Sequence, residues 1–252
     1  MRLLLDFVCR FGWGLAAGLV ITSPTVVTGG FFRVNSLVVM GLATFAALLA
    51  PAAGGTWTVP AAAAVTAWLA SVAWLGERRR AGVGLCAATA ALLAVATAIV
   101  SGGLAAPSAA RWPAPLGLPP ATWSALLSGL LVGLTVHAML LGHWYLNAPG
   151  MSVAALRRAI DQALAAWAAC LVAAAVATVP SLSDSLRGAD SATLALLALR
   201  WLAGLVGLPV LLVMARATLA IPNTQSATGI LYVACLAAIL GELTAQLLAV
   251  AT

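Results

Sequence analysis

Three groups of polar side chains in the second half of this chain could do chemistry. The first is centred on Glu242, which lies inside a long apolar run. Steps of 4, 3, 7 and 4 residues connect Thr228, Tyr232, Cys235, Glu242 and Gln246, and this spacing places them on one face of a helix. Because a carboxyl inside an apolar span is costly, it needs a partner or a task. The stripe predicts either a hydrogen-bonded seam between helices or a carboxyl that carries protons or binds a ligand.

The second group contains the two histidines, His137 and His143, which are six residues apart in one apolar run. On a helix this spacing means a rise of about 9 Å and a rotation of about 120°. The pair cannot ligate one haem iron from opposite sides, so a bis-histidine haem within this chain is excluded. A haem held by one histidine and a methionine is left open. For His137, the alternatives are a hydrogen bond to a neighbouring helix and a proton relay.

His143 is followed by Trp144 and Tyr145 near the end of the same run. One alternative is an interfacial histidine among the aromatic residues that gather at membrane surfaces. The other is a quinone site, in which His143 binds a quinone carbonyl and the two aromatic rings stack on the quinone.

The third group, Asn223 to Thr228, opens the last apolar run. Asn223 or Thr224 could cap the helix, but the segment holds more polar residues than a cap needs. We expect this helix start to share one membrane face with His143, Arg157 and Arg158. Gln225, Thr228 and Arg157 could then line a polar pocket in which the positive helix end attracts an anion or a headgroup.

The amino-acid composition predicts which kind of secondary structure carries these residues. Of the 252 residues, 63% are hydrophobic and 7% are charged, and the mean hydropathy is +1.10. A soluble domain is about 25% charged. The composition therefore excludes a soluble enzyme, a disordered chain and a nucleic-acid binder. The apolar runs are too long for membrane β-strands and show no period-two alternation. We expect an all-α, polytopic transmembrane helical bundle in contact with the lipid bilayer.

Eight spans are predicted, in two halves. A connection at 105–121 contains five prolines and is predicted to be an extracytoplasmic hinge. It separates an N-terminal four-span half at 1–104 from a C-terminal four-span half at 122–252. Each of the four cysteines stands alone in an apolar run, and neither histidine has a further ligand at metal-binding spacing, so no metal site is expected.

The arginines predict the orientation. With eight spans, seven arginines fall on one side of the membrane and four on the other, and Arg200 is ambiguous. The positive-inside rule then places both termini outside the cytoplasm, in a bacterial inner membrane. The seven on the predicted cytoplasmic side are Arg33, Arg78, Arg79, Arg80, Arg157, Arg158 and Arg216.

Two segments carry a resemblance. The runs GHWYLNAPGM, at 142–151, and NTQSATGILY, at 223–232, look like signature segments of uncharacterised bacterial eight-span integral membrane proteins. Eight spans in two four-helix groups also resemble the membrane-anchor subunits of polysulfide and dimethyl sulfoxide reductase complexes. This resemblance implies a quinol-interacting subunit with other subunits as partners. It transfers no site residue, because those anchors tend to hold the quinone in the first half of the chain.

Three functions follow as expectations, and the sequence does not decide whether the chain is an enzyme. The first is a quinone- or quinol-interacting subunit of a bacterial redox complex, in which Glu242 passes protons. The second is a proton-coupled transporter or channel for a small solute, with Glu242 and His137 as the relay and with helices broken at Pro24 and Pro209. The third is a structural or assembly subunit with no activity alone.

Overall fold

A computed structural model describes residues 1–102, 119–148, 151–178, 190–221 and 223–251. Within these ranges the chain is mostly helical and contains no strand. Eight helices in them are long and apolar enough to cross a membrane, which confirms the predicted all-α transmembrane bundle. They are α1 (Arg2–Ile21), α2 (Gly29–Leu49), α3 (Thr58–Leu75), α4 (Arg79–Val100), α5 (Pro120–Asn147), α6 (Ala154–Thr178), α7 (Ser191–Thr218) and α8 (Thr224–Ala251).

The helix ends show why the spans begin where they do. Asn223 caps α8, since its side-chain oxygen accepts a hydrogen bond of 3.0 Å from the amide of Ser226, and this confirms the predicted cap. Asp190 caps α7 in the same way, and hydrogen bonds from Thr193 hold the pKa of this carboxyl below its ordinary value. Pro120 stands in the first turn of α5, where a missing N–H costs nothing. Most of the predicted hinge at 105–121 lies outside the described residues.

Helix α7 changes its winding part-way along. Its middle, Arg200–Gly207, is π-helical, and an α-helix resumes at Leu208. The indole N–H of Trp167 on α6 donates to the carbonyl of Leu205, 3.0 Å away, within this segment. Such π turns are frequent at functional sites. Pro209 follows the π turn and does not break the span, and α1 ends at Ile21 before Pro24 is reached. The predicted break is therefore wrong at Pro24, whereas the span at Pro209 is continuous but changes its winding just before the proline.

The helices form two groups of four. In the first group, α2 and α4 both pack on α3, and α1 packs on α4. In the second group, α5 lies between α6 and α8, and α8 packs along α7. The main contact between the groups runs along α1 and α5, where small residues let the two backbones touch. Because consecutive spans alternate in direction, the seven arginines named above are exposed at one end of the bundle, which we call the arginine-rich end. Which membrane side this end faces stays a prediction.

Candidate functional site

The predicted site residues lie at three separate levels of the bundle. Along α5, Ser128, His137 and His143 are 9 and 6 residues apart, which corresponds to steps of about 13 and 9 Å. Glu242 is beside Ser128, at the level farthest from the arginine-rich end. His137 lies in the middle, and His143 lies near the arginine-rich end. The structure does not bring Glu242 and the two histidines into one cavity.

At the first level, Glu242 belongs to a buried ionic cluster formed by α1, α5 and α8. Its Oε1 accepts hydrogen bonds from Nη1 of Arg10, at 2.9 Å, and from the amide of Gln246, at 2.8 Å. Arg10 also donates from Nε and Nη2 to the two carboxylate oxygens of Asp6, and from Nη1 to the hydroxyl of Ser128. The Glu242 side chain is only 4% exposed. Of the two alternatives for the polar stripe, the hydrogen-bonded seam is the arrangement that these contacts form.

Sequence reasoning missed Asp6 and Arg10 as members of this cluster. They are four residues apart in the first apolar run, a spacing at which opposite charges on a helix pair with each other. This spacing is the signal that could have identified the pair within α1. Nothing in the sequence indicated that a residue 232 positions later completes the cluster.

At the second level, His137 forms a hydrogen bond between α5 and α1. Its Nε2 lies 2.7 Å from the hydroxyl of Thr22, and this hydroxyl donates to the carbonyl of Gly18. Thr22 therefore accepts a hydrogen bond from Nε2–H, and Nδ1 carries the unprotonated lone pair. The ring is fully buried against Phe31, and Nδ1 has no partner among the described residues. The predicted bond to a neighbouring helix is formed, and the relay role stays a prediction.

At the third level, His143 of α5 meets Tyr232 of α8. The phenolic oxygen lies 3.3 Å from Nδ1 of the imidazole, and both side chains are exposed. Tyr232 is 47% exposed although its neighbours on the predicted polar stripe, Thr228 and Cys235, are buried. The pair therefore lies on the outer surface of the bundle, where a membrane protein meets lipid.

The expected stack of aromatic rings beside His143 is not formed. Consecutive residues on a helix point about 100° apart, so Trp144 and Tyr145 leave the face that carries His143. The Trp144 ring packs against Phe31, and its N–H donates to the hydroxyl of Thr28, 3.0 Å away. Tyr145 is buried, and its hydroxyl donates to the carbonyl of Ser152.

The remaining predicted pocket residues are dispersed. Arg157 is exposed and donates to the carbonyl of Leu219 at the end of α7, 3.0 Å away, so it closes a helix end. Gln225 is exposed, whereas Thr228 is buried and donates to the carbonyl of Thr224. Thr228 is therefore not available to a ligand that reaches His143 from the membrane.

A helix position without a side chain lies beside the exposed pair. Gly229 precedes Tyr232 by three residues and so shares its face of α8. No described atom outside its own helix backbone and chain neighbours lies within 4 Å of the position that a Cβ would take at Gly229. We call His143, Tyr232 and Gly229 the α5–α8 notch. Elsewhere in the described ranges, no group of three or more His, Cys, Asp or Glu side chains could hold a metal ion.

Comparisons with protein-family models, with curated protein sequences and with solved structures found no match to this chain. Any function must therefore rest on the chemistry of its own side chains.

Proposed function

We propose that this chain is an integral membrane subunit of a bacterial redox complex that binds quinone or quinol at the α5–α8 notch. The observation that carries the proposal is the hydrogen-bonded pair of His143 and Tyr232 on a surface that faces lipid. Exposed polar residues on transmembrane helices are costly in lipid, so a polar ligand at this position would stabilise the pair. A quinone is a membrane-soluble molecule with such a polar headgroup.

The pair can serve both redox states of the ligand. If the Tyr232 hydroxyl donates to Nδ1 of His143, the imidazole carries its proton on Nε2 and can donate it to a quinone carbonyl. If Nδ1–H donates to the phenolic oxygen instead, Nε2 becomes an acceptor for a quinol hydroxyl. The same two side chains therefore accommodate quinone and quinol through the two neutral tautomers of the His143 imidazole, with the Tyr232 hydroxyl rotating so that its oxygen accepts when Nδ1–H donates.

The distance of the α5–α8 notch from the helix ends suits a quinone headgroup. His143 lies four residues before the end of α5, or about 6 Å along the helix, and Tyr232 lies eight residues after the start of α8, or about 12 Å. This is the region near the membrane interface, where rings with a polar edge are enriched. The open space over Gly229 leaves room for a ring beside Tyr232.

The proposed site is smaller than the one expected from sequence. It excludes Glu242 and His137, which lie at other levels, and Trp144, Tyr145 and Thr228, whose polar groups are engaged inside the protein. Arg157 and Gln225 are exposed at the same end and stay predicted contributors to its rim. Electrons would pass between the bound quinone and a redox subunit associated with this chain.

The test is quinone binding by the purified chain in lipid nanodiscs. Gly229→Leu fills the notch without a clash, and Gly41→Leu is the matched control, because Gly41 is exposed on α2 and also has open space around it. We expect Gly229→Leu and His143→Ala to lower the affinity for a short-chain ubiquinone or menaquinone by about tenfold or more, which corresponds to about 1.4 kcal/mol. Gly41→Leu should bind like the unmodified chain. Equal affinity in all four proteins, or no binding by any, would refute the proposal, and the latter would favour an assembly subunit.

A further inference from the structure

The ionic cluster at the far level has an uneven charge count. Asp6 and Glu242 are both carboxylates, and Arg10 is the guanidinium that bonds to them. Arg10 directs Nε and Nη2 to Asp6, so only Nη1 is left for Glu242 and Ser128. With both acids ionised, the three bonded groups carry one excess negative charge inside the membrane-spanning part of the protein. Such a charge is costly unless a cation or a proton compensates for it.

The side-chain carbonyl oxygen of Gln246 lacks a hydrogen-bond donor in the described part of the chain. Its amide nitrogen donates to Glu242, but its carbonyl oxygen Oε1 is buried and has no hydrogen-bond partner among the described residues. Gln246 as a whole is only 5% exposed. An unsatisfied buried acceptor costs about 1–3 kcal/mol. A carboxyl group directly beside it would remove this cost if it carried a proton to donate.

Apart from Arg10, no cation among the described residues forms an ion pair with Glu242. Helix α1 contributes Asp6 and Arg10, and α5 contributes the neutral Ser128. Arg200 of α7 and the Cys170 thiol of α6 interact with Glu242 electrostatically. Among the described residues, Arg200 makes no hydrogen bond and no ion pair within 4 Å, so it moderates the excess charge from a distance.

We propose that Glu242 is an exchangeable proton site that opens to the aqueous phase at the end where α1 begins. The proton comes from water, binds a Glu242 carboxylate oxygen, and is donated in a hydrogen bond to Oε1 of Gln246. Its release returns it to water and restores the charged bond to Arg10. The Asp6 and Arg10 side chains are 16% and 15% exposed, and Asp6 lies four residues after the start of α1, so these two side chains mark the proposed route to water.

This site is independent of the proposed quinone site. Glu242 lies ten residues after Tyr232 on α8, which corresponds to about 15 Å along the helix. A neutral Glu242 attracts Arg10 less than a carboxylate does. Protonation therefore weakens the tie between α1 and α8, and gives the bundle a response to protons at the end opposite the notch.

The test uses dicyclohexylcarbodiimide, which reacts with protonated carboxyls in apolar surroundings. The full chain in nanodiscs is labelled over a pH series, and the adduct is located by peptide mass spectrometry. We expect an adduct on Glu242 that grows as the pH falls and that is absent in Glu242→Gln. Gln246→Leu should reduce the labelling several-fold, because the acceptor for the proton is gone. Gln162→Leu, at a partly exposed glutamine of α6, should not change it.

Three results would overturn the assignment. One is the absence of an adduct on Glu242 at any pH together with no infrared band of a protonated carboxyl that disappears in Glu242→Gln. The second is labelling of Asp6 instead of Glu242. The third is protection of Glu242 by Na⁺ but not by choline at constant pH, which would identify a sodium site.

Discussion

Gly14 on α1 and Gly133 on α5 lie with their backbones in direct contact. A Cβ added to Gly133 would lie 2.1 Å from the carbonyl carbon of Gly14, and one added to Gly14 would lie 3.0 Å from the Cα of Gly133. One turn away, a Cβ at Gly129 would meet the carbonyl oxygen of Arg10 at 2.6 Å. This close approach holds the two four-helix groups together, and it brings Arg10 within hydrogen-bonding distance of Ser128.

We expect Gly133→Ala to destabilise the contact between the two groups. The obstacle is backbone, which cannot rotate away as a side chain can, so the loss should be at the upper end of the overpacking range, about 3 kcal/mol. The measurement is unfolding in mixed detergent micelles. Gly41→Ala is the control, since its added methyl meets no atom within 4 Å. Equal stability of the two variants would contradict the close packing.

The ionic cluster predicts that the loss of Arg10 destabilises the protein more than the loss of the Glu242 charge does. Arg10→Met leaves Asp6 and Glu242 as neighbouring carboxylates without a cation, and should cost about 3–5 kcal/mol. Glu242→Gln leaves Arg10 bound to Asp6 through two hydrogen bonds and should cost much less, about 1 kcal/mol. Unfolding of both variants in the same micelles compares them. A larger loss in Glu242→Gln than in Arg10→Met would show that Glu242 is the main partner of Arg10.

The hydrogen bond between His137 and Thr22 predicts that removing the hydroxyl at position 22 lowers stability and that a serine there restores it. Thr22→Val keeps the shape of the side chain but leaves the buried Nε2–H of His137 without an acceptor, which should cost about 1–3 kcal/mol. Thr22→Ser retains the hydroxyl and should recover most of this loss. The measurement compares the unfolding midpoints of the unmodified chain, Thr22→Val and Thr22→Ser. Equal losses of stability in the two variants would assign the effect to packing.

The start of α7 should depend on pH. Since the folded-state pKa of Asp190 is lowered, its ionised cap stabilises the helix start at neutral pH, and this contribution is lost as the pH falls through the folded-state pKa. The protection factor of the Thr193 amide, which compares its hydrogen-exchange rate with the intrinsic rate at the same pH, should therefore fall as the pH falls. In Asp190→Asn the relative protection of this amide should no longer depend on pH. An unchanged pH dependence in that variant would exclude the cap as its source.

The predictable part of this protein is the part set by local chemistry. The eight spans follow from apolar runs of membrane length, and the cap at Asn223 follows from its side chain and its place before the run. Periodicity also placed Thr228, Cys235, Glu242 and Gln246 on a face that proves to be buried. Each of these inferences uses residues that are near one another in the chain.

The predictions that were wrong or incomplete depend on which helices are neighbours in the bundle. Periodicity gives the angular position of Tyr232 on α8, but whether that angle faces protein or lipid is decided by where α5 and α7 pack. The same limit applies to the expected relay of Glu242 and His137, since sequence gives the relative depth of two residues on different spans only when those spans are aligned with each other. The π turn in α7 is a second feature that no residue pattern in the sequence predicted.

The bond between Arg10 and Glu242 also orders the events of biosynthesis. Arg10 enters the membrane with the first helix, accompanied by Asp6, whose opposite charge lowers the cost of inserting a guanidinium. Glu242 is translated 232 residues later, in α8. The ribosome must therefore synthesise α8 before this bond can form, and until then Arg10 is neutralised in the bilayer only by the aspartate of its own helix.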